Sequence, residues 1–374
     1  MHLVSVTSPL AVGAYKLPVG NYLADNVNAG EILARHPFAA EVQPAANPAP
    51  ISACDLDPKK PQRILIIRPG GFGDLLFLTP VLRALKRDYP LLHIALACFP
   101  DYAGVFANNP DVAEIVAYPV PLALVETFNA IVPLENTIES EKDLHAVDRL
   151  FREFGIHPDL IHDDAKACIY ELTDKERAGA LSTFPTKLDD KGNAKPRLGV
   201  QAVASAMCRT YPHDLLAHAC EMLHRKGWEI YFFGEPKSLA IQERDGILNL
   251  SSRALTFRQS AAVLSTCDVV LAPDSALAHL AGALGLPCVA LYGPFPWEIR
   301  TSYHPKTLAL TGDPLACAPC FHHTAGRQHF PANGPCAKSG KCEVLASIKP
   351  GRIAAKIDAL YKASVHIAQE ERKS

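Results

Sequence analysis

No stretch of this 374-residue chain approaches the roughly 18 to 20 consecutive apolar residues of a membrane-spanning helix. It has no long lysine or arginine tract, and a formal net charge of -2 offers an extended polyanion little to bind, so no nucleic-acid partner is expected. The opening MHLVSVTSPLAVGAYKLPVGN lacks the charged start and compact apolar core of an export signal. The expected location is therefore cytoplasmic, with association at the inner-membrane surface included. A disulfide framework is missing as well. The cysteines total 11, an odd number, and Cys54, Cys98, Cys168, Cys208, Cys220, Cys267 and Cys288 are isolated, several inside apolar runs where a thiol behaves as a small hydrophobe. Neither the Gly-Lys-Ser/Thr of a Walker loop nor the dinucleotide fingerprint is present.

What is present is strand, glycine turn and helix. The run Ile64, Leu65, Ile66, Ile67 reads as a parallel strand buried on both faces. It breaks at Pro69-Gly70-Gly71-Phe72-Gly73-Asp74. Leu75, Leu78, Leu82 and Leu85 then recur at helical spacing, with Arg83, Lys86 and Arg87 toward the C-terminal end where cations suit the helix dipole. The glycines Gly71 and Gly73 allow close backbone approach to a ligand. Asp74 lies at the carboxyl end of a first strand, where open parallel sheets place their ligands.

Alternating strand and helix patterns follow on both sides of the polar stretch Pro185 to Pro196, and imply two doubly wound α/β domains with a cleft between them as the default ligand site. The expected division is an N-terminal extension and linker over 1–60, a first domain over 61–185, a second over 186–345 and a C-terminal helix over 346–374. Within 1–60 the residues Val19 to Val42 can hold a short strand or helix. Packing on the body, or self-association into a homo-oligomer, is the expected use of this extension. Helices are expected over Asp143 to Phe154 and from Thr173, where Glu176 three residues on makes a capping box.

Asp274-Ser275-Ala276-Leu277-Ala278-His279 falls at a strand-to-helix junction. Asp274 and Ser275 can cap the helix and leave its first amides, Ala276 among them, for phosphate oxygens, with His279 one turn on; an ordinary N-cap with a core histidine is the alternative. Arg209 stands on a loop after the first strand of the second domain, placed to neutralise a phosphate or simply solvated. Near the C-terminus, Cys317-Ala-Pro-Cys320 and Cys336 with Cys342 flank a segment containing His322, His323 and His329. The first pair is a metal knuckle and the second has a longer gap. Four thiolates would favour structural zinc or iron; two disulfides or four free thiols are the alternatives.

The order of these pieces resembles a known family. Gly73-Asp74, Thr79-Pro80, Leu85-Lys86, Asn109-Pro110-Asp111-Val112, Thr173 to Arg177, Arg209-x-Tyr211-Pro212, Asp274-Ser275-x-x-x-His279-Leu280-Ala281 and Leu291-Tyr292-Gly293-Pro294 together are similar to the ADP-heptose:lipopolysaccharide heptosyltransferases, glycosyltransferase family 9, over about residues 62 to 360. The resemblance implies a GT-B fold of two Rossmann-like domains, the first binding the acceptor and the second the nucleotide sugar. It further implies inverting transfer of a sugar, heptose from ADP-heptose, with no cofactor for catalysis. Asp74 would be the general base. Arg209 would stand where relatives carry a pyrophosphate-binding lysine and Tyr211 where they carry tryptophan, with Asp274, Ser275 and His279 on the diphosphate side. Similar C-terminal cysteines in the family favour a structural role for this cluster.

Three departures are visible: Ala276 replaces a glycine, Gln201 to Ser205 replaces a proline-glycine-alanine-serine turn, and Gly234-Glu235 has one glycine where relatives often have two. The domain expected to hold the acceptor has more carboxylates than basic residues. That composition turns attention from an anionic lipopolysaccharide core toward a protein hydroxyl or another glycan. A GT-B nucleotide-sugar epimerase and a non-catalytic sugar-nucleotide-binding or assembly protein are the alternative functions.

Overall fold

The computed structural model describes residues 1–12, 15–36, 40–44, 56–139, 141–234, 241–322, 330 and 334–371. Cys54, Glu235, His323 and His329 lie outside the described residues, as does the rest of 45–55. The chain forms two compact units, Met1–Glu141 with Val147–His162, and Lys142–Ala146 with Asp163–Ser374.

The first unit begins with strands β1 (His2–Val6), β2 (Leu10–Val12), β3 (Tyr15–Leu17) and β4 (Gly20–Ala24), helix α1 (Asn26–Arg35) and β5 (Ala40–Pro44). β1 pairs antiparallel with both β4 and β5, and β2 with β3. Asp25 caps α1 by accepting from the Asn28 amide at 2.8 Å, which satisfies one of the helix's open N–H groups.

A parallel layer follows. Its elements are β6 (Gln62–Ile67), α2 (Phe72–Leu76), α3 (Thr79–Asp88), β7 (Leu92–Cys98), β8 (Glu114–Ala117), β9 (Val120–Pro121), α4 (Leu122–Val125) and β10 (Ala130–Pro133), with α5 running Ala146–Glu153. The parallel order is β10-β6-β7-β8, and β9 joins the antiparallel sheet beside β4. Ile64 to Ile67 are fully buried, as an apolar strand covered on both faces must be. The single helix expected after the glycine turn is instead two. Pro80 has no N–H for the Leu76 carbonyl, and the Thr79 hydroxyl takes that acceptor at 2.8 Å, so the first helix stops at Leu76 and a second starts at Thr79.

The second unit holds α6 (Asp174–Thr183), β11 (Arg197–Gln201), α7 (His213–His224), β12 (Glu229–Phe233), β13 (Ile247–Asn249), α8 (Phe257–Leu264), β14 (Val269–Pro273), α9 (Ala276–Ala283), β15 (Cys288–Tyr292), α10 (Glu298–Thr301), β16 (Thr307–Thr311), α11 (Pro335–Ser339), α12 (Glu343–Ser347) and α13 (Pro350–Glu371). All six strands are parallel in the order β13-β12-β11-β14-β15-β16, the 3-2-1-4-5-6 winding of a Rossmann sheet, with its switch point between β11 and β14. The capping box at Thr173 and Glu176 forms as expected. Glu176 also takes both nitrogens of a two-pronged Arg258 contact at 2.6 and 2.7 Å, which ties α6 to α8 within this unit.

Candidate functional site

Each parallel sheet carries polar side chains at the carboxyl end of its first strand. In the first unit the strand hands over to Arg68, whose side chain is only 1% exposed. Arg68 Nη1 donates to the Leu134 carbonyl at 2.6 Å and Nη2 to Glu139 Oε1 at 2.8 Å, bridging the ends of β6 and β10 at that sheet's own switch point. Asp74, one-third exposed, sits in the turn above. Its Oδ2 accepts from the Gly71 amide at 3.0 Å and lies 3.6 Å from Arg68 Nη2. Both contacts fall on one oxygen, which leaves Oδ1 without either of them. Glycine fits closely at Gly70, where a Cβ would lie 3.0 Å from Arg68 Nε and from Asp74 Oδ2 and would press on both side chains. Gly71 supplies its amide to Asp74, while Gly73 accepts from the Phe77 amide within the helix turn.

In the second unit the matching position holds Gln201. Its Oε1 accepts from the Ser275 hydroxyl at 2.6 Å and from the Leu277 amide at 3.1 Å, and its Nε2 donates to the Val203 carbonyl at 3.0 Å. Ser275 therefore occupies the N-cap position of α9 without its hydroxyl capping the helix; Gln201 does that from the neighbouring strand. The amides of Ala278 and His279 turn back to the Ser275 carbonyl. Ala276 is the first residue of α9, and its side chain in place of hydrogen is the departure noted in the sequence.

Beside this turn Asp274 is 3% exposed. Arg209 Nη1 donates to its carbonyl at 3.2 Å and lies 3.8 Å from Oδ2, while Nη2 donates to the Ser205 hydroxyl. His279 Nε2 is 3.7 Å from Asp274 Oδ1, and its Nδ1 is 3.5 Å from His304 Nε2. Burial raises the Asp274 carboxyl, but His279 and the charges of Arg209 and Arg300 outweigh it and hold the group well below the usual carboxylate range. His304 goes the other way: burial, aided by His279, lowers it to about 3. The two residues thus form a fixed anion and a neutral imidazole on either side of His279.

The structure brings together Arg209, Asp274, Ser275, Ala276 and His279, and places Asp74, Gly71 and Gly73 in the other unit. Sequence reasoning missed Gln201 as a capping group, and Arg300, His304 and Glu139 altogether. Their partners are distant in the chain, and only the sheet order brings them near. Tyr211 is a core residue whose hydroxyl donates to the Ile348 carbonyl at 2.6 Å, pinning the segment before α13.

Cys317 and Cys336 lie near enough to act on the Cys320 thiol, and Cys336 and Cys320 on that of Cys342. Cys208, read from the sequence as isolated, joins them: its thiol senses Cys320 and Cys336 and faces the His322 carbonyl at 3.6 Å. Burial pushes Cys342 up to about 12. Among the described residues no three His, Cys, Asp or Glu side chains are arranged to hold a metal ion, so these five cysteines share a neighbourhood without the tetrahedral convergence expected of a closed thiolate site. No helix among the described residues is long and apolar enough to cross a membrane.

The family model described as Glycosyltransferase family 9 (heptosyltransferase) matches residues 125–330, more than half of the chain. Lipooligosaccharide heptosyltransferase 2 of Haemophilus influenzae is 22% identical over 289 residues, covering 62% of this chain and 83% of that protein. Among solved structures, Escherichia coli ADP-heptose lps heptosyltransferase II superposes with a TM-score of 0.61 at 18% identity, over 81% of this chain and 99% of the other. The dodecameric iron-containing heptosyltransferase TibC of enterotoxigenic E. coli, solved in complex with ADP-D-beta-D-heptose, superposes with a TM-score of 0.59 at 11% identity, over 97% and 91%. Two Rossmann-wound units and a family match spanning most of the second lead to one assignment: the chain belongs to glycosyltransferase family 9, the heptosyltransferases, and is a glycosyltransferase of the GT-B fold.

Proposed function

We propose that this enzyme transfers heptose from ADP-heptose, with inversion, to a hydroxyl of a lipopolysaccharide core, another glycan or a protein. The observation that carries the reading is the grouping of Arg209, Asp274, Ser275 and His279 at the switch point of a Rossmann sheet in a chain of this family. In this reading residues 186–345 take the donor, although Asp163 to Thr183 pack with that unit as well. Residues 61–185 take the acceptor.

The acceptor oxygen attacks the anomeric carbon, the bond from that carbon to the diphosphate breaks, and ADP leaves. Asp74 accepts the hydroxyl proton through Oδ1, the oxygen not held by Gly71 and Arg68. Arg209, beside the start of α9, takes up the charge that develops on the departing diphosphate. Gly71 and Gly73 give the acceptor room beside the base.

The test is incubation with ADP-heptose and candidate acceptors. Asp74→Ala is expected to lower kcat by about 100-fold or more while ADP-heptose still raises the melting temperature. Undiminished transfer by that variant would remove Asp74 from its role. Isomerised donor without acceptor would instead indicate an epimerase, and binding without turnover a sugar-nucleotide-binding protein.

We further propose that Cys317, Cys320, Cys336 and Cys342 gather around a structural zinc or iron when that metal is supplied, and that residues 1–60 mediate self-association. The nearness of these thiols and the iron and dodecamer of TibC support these readings. Elemental analysis and light scattering on the purified protein test them: metal-free protein, or a monomer mass, would end the respective proposal.

A further inference from the structure

Arg300 was not among the residues expected at the site. It lies on α10, in the loop leaving β15, and only 7% of it is exposed. Its guanidinium carbon sits 4.6 Å from the centre of the Phe295 ring, and its Nε is buried with no hydrogen-bond partner. Burying a guanidinium nitrogen without a partner is costly and calls for an explanation, one of which is a ligand that completes the bonding; Arg209, at the same site, has a buried unpartnered Nε as well. Stacking on one face by Phe295 holds the planar fork in place, the preorganisation a phosphate-binding arginine needs.

The electrostatic surroundings say which ligand. The charge of Arg300 acts on Asp274, Tyr292 and His145, so it belongs to the same buried neighbourhood as the strand-end site. The helix start contributes few free donors there. Ala278 and His279 return their amides to Ser275, and Gln201 holds the Leu277 amide. Arg209 shares its charge with Asp274. A diphosphate arriving at this turn therefore meets one already partnered arginine and a helix start largely engaged, which leaves a charge deficit that a second arginine fills.

We propose that Arg300 is a donor-binding residue that holds an oxygen of the nucleotide's diphosphate together with Arg209. The inference rests on the donor-site reading above and extends it to a residue outside the Asp274 to His279 turn. The competing role is structural, with Arg300 serving only as a countercharge for Asp274.

Titration calorimetry with adenosine, AMP and ADP separates the two. Arg300→Gln is expected to weaken ADP by about 10- to 100-fold, the range of a lost charge-assisted hydrogen bond, and to leave adenosine within about twofold. Arg300→Lys, which keeps the charge but not the fork, is expected to fall between. Unchanged ADP affinity in Arg300→Gln would overturn the inference. So would an equal loss for adenosine and ADP accompanied by a lower melting temperature, because a structural countercharge acts on the whole site. If the wild-type protein binds no ADP, UDP or GDP, the donor-site reading itself fails and this inference with it, an outcome visible before any variant is made.

Discussion

His304 shows what a single side chain contributes when it is packed against a gap made by glycine. A Cβ added to Gly282 would lie 2.3 Å from His304 Nδ1, so only glycine admits the ring at this place on α9. The ring is held neutral at about 3, and His145, which senses both His304 and His279, is likewise lowered by burial. Arg300, Asp274 and Arg209 are the fixed charges around the pair. In the unfolded chain both histidines protonate near pH 6.5. Below that pH the unfolded state binds protons that the native state refuses, so stability falls as pH drops from about 6.5 toward 3, by up to about 1.4 kcal/mol per pH unit for each group. The melting temperature of His304→Asn is expected to change less between pH 7.5 and 5.5 than that of the wild type; identical changes would refute the role. None of this could be read from the Gly282 or His304 neighbourhoods in the chain, because neither residue sits in a motif. The place of Asp274 was legible for the opposite reason: it directly follows an apolar strand run, whereas Asp74 and Arg209 stand further along, in the turns that leave their strands.

At the level of elements, the strands and helices with strong periodicity appear where the pattern placed them. Ile64 to Ile67 lie in the strand expected, and Thr173 starts a helix because a hydroxyl and a glutamate three residues apart satisfy each other's backbone neighbours. The helix after the glycine turn was misjudged because leucine spacing continues across a proline that the backbone ladder cannot cross. Strands β13 and β16 escaped notice: the first has only three residues, and the second, Thr307 to Thr311, is a mostly half-buried edge strand with little apolar alternation. The capping of α9 departed from expectation for a similar reason. Ser275 looks like an N-cap in sequence, but a strand-end glutamine from across the switch point reaches the same donors first. Local chemistry decides who can cap a helix, and topology decides who does.

Across the whole molecule, the least legible part is the first 44 residues. Small residues and prolines hid an antiparallel sheet whose inner face shares one core with the first parallel sheet. Val4, Leu23, Ile32 and Ala40 pack in the same cluster as Leu65, Ile67, Ala97, Val116 and Tyr118. The Tyr118 hydroxyl donates to Asp25 Oδ2 at 2.7 Å and accepts from the Asp25 amide, a buried link across 93 positions. A chain truncated to begin at residue 57 is therefore expected to lose at least about 5 °C of melting temperature, or to aggregate, because a core face is uncovered rather than a tail removed. Scanning fluorimetry of both chains checks this; equal melting curves would show the N-terminal sheet to be an independent appendage.

Strand β9 has a consequence for inheritance. It is only two residues long, yet it completes the sheet begun by β1, β4 and β5 from far along the chain. A recombination event or graft that moves the first 44 residues between relatives moves three of that sheet's four strands and leaves the fourth behind. The N-terminal sheet can pass between lineages intact only if Val120 and Pro121, with Tyr118 beside them, travel in the same exchange or are already matched in the recipient.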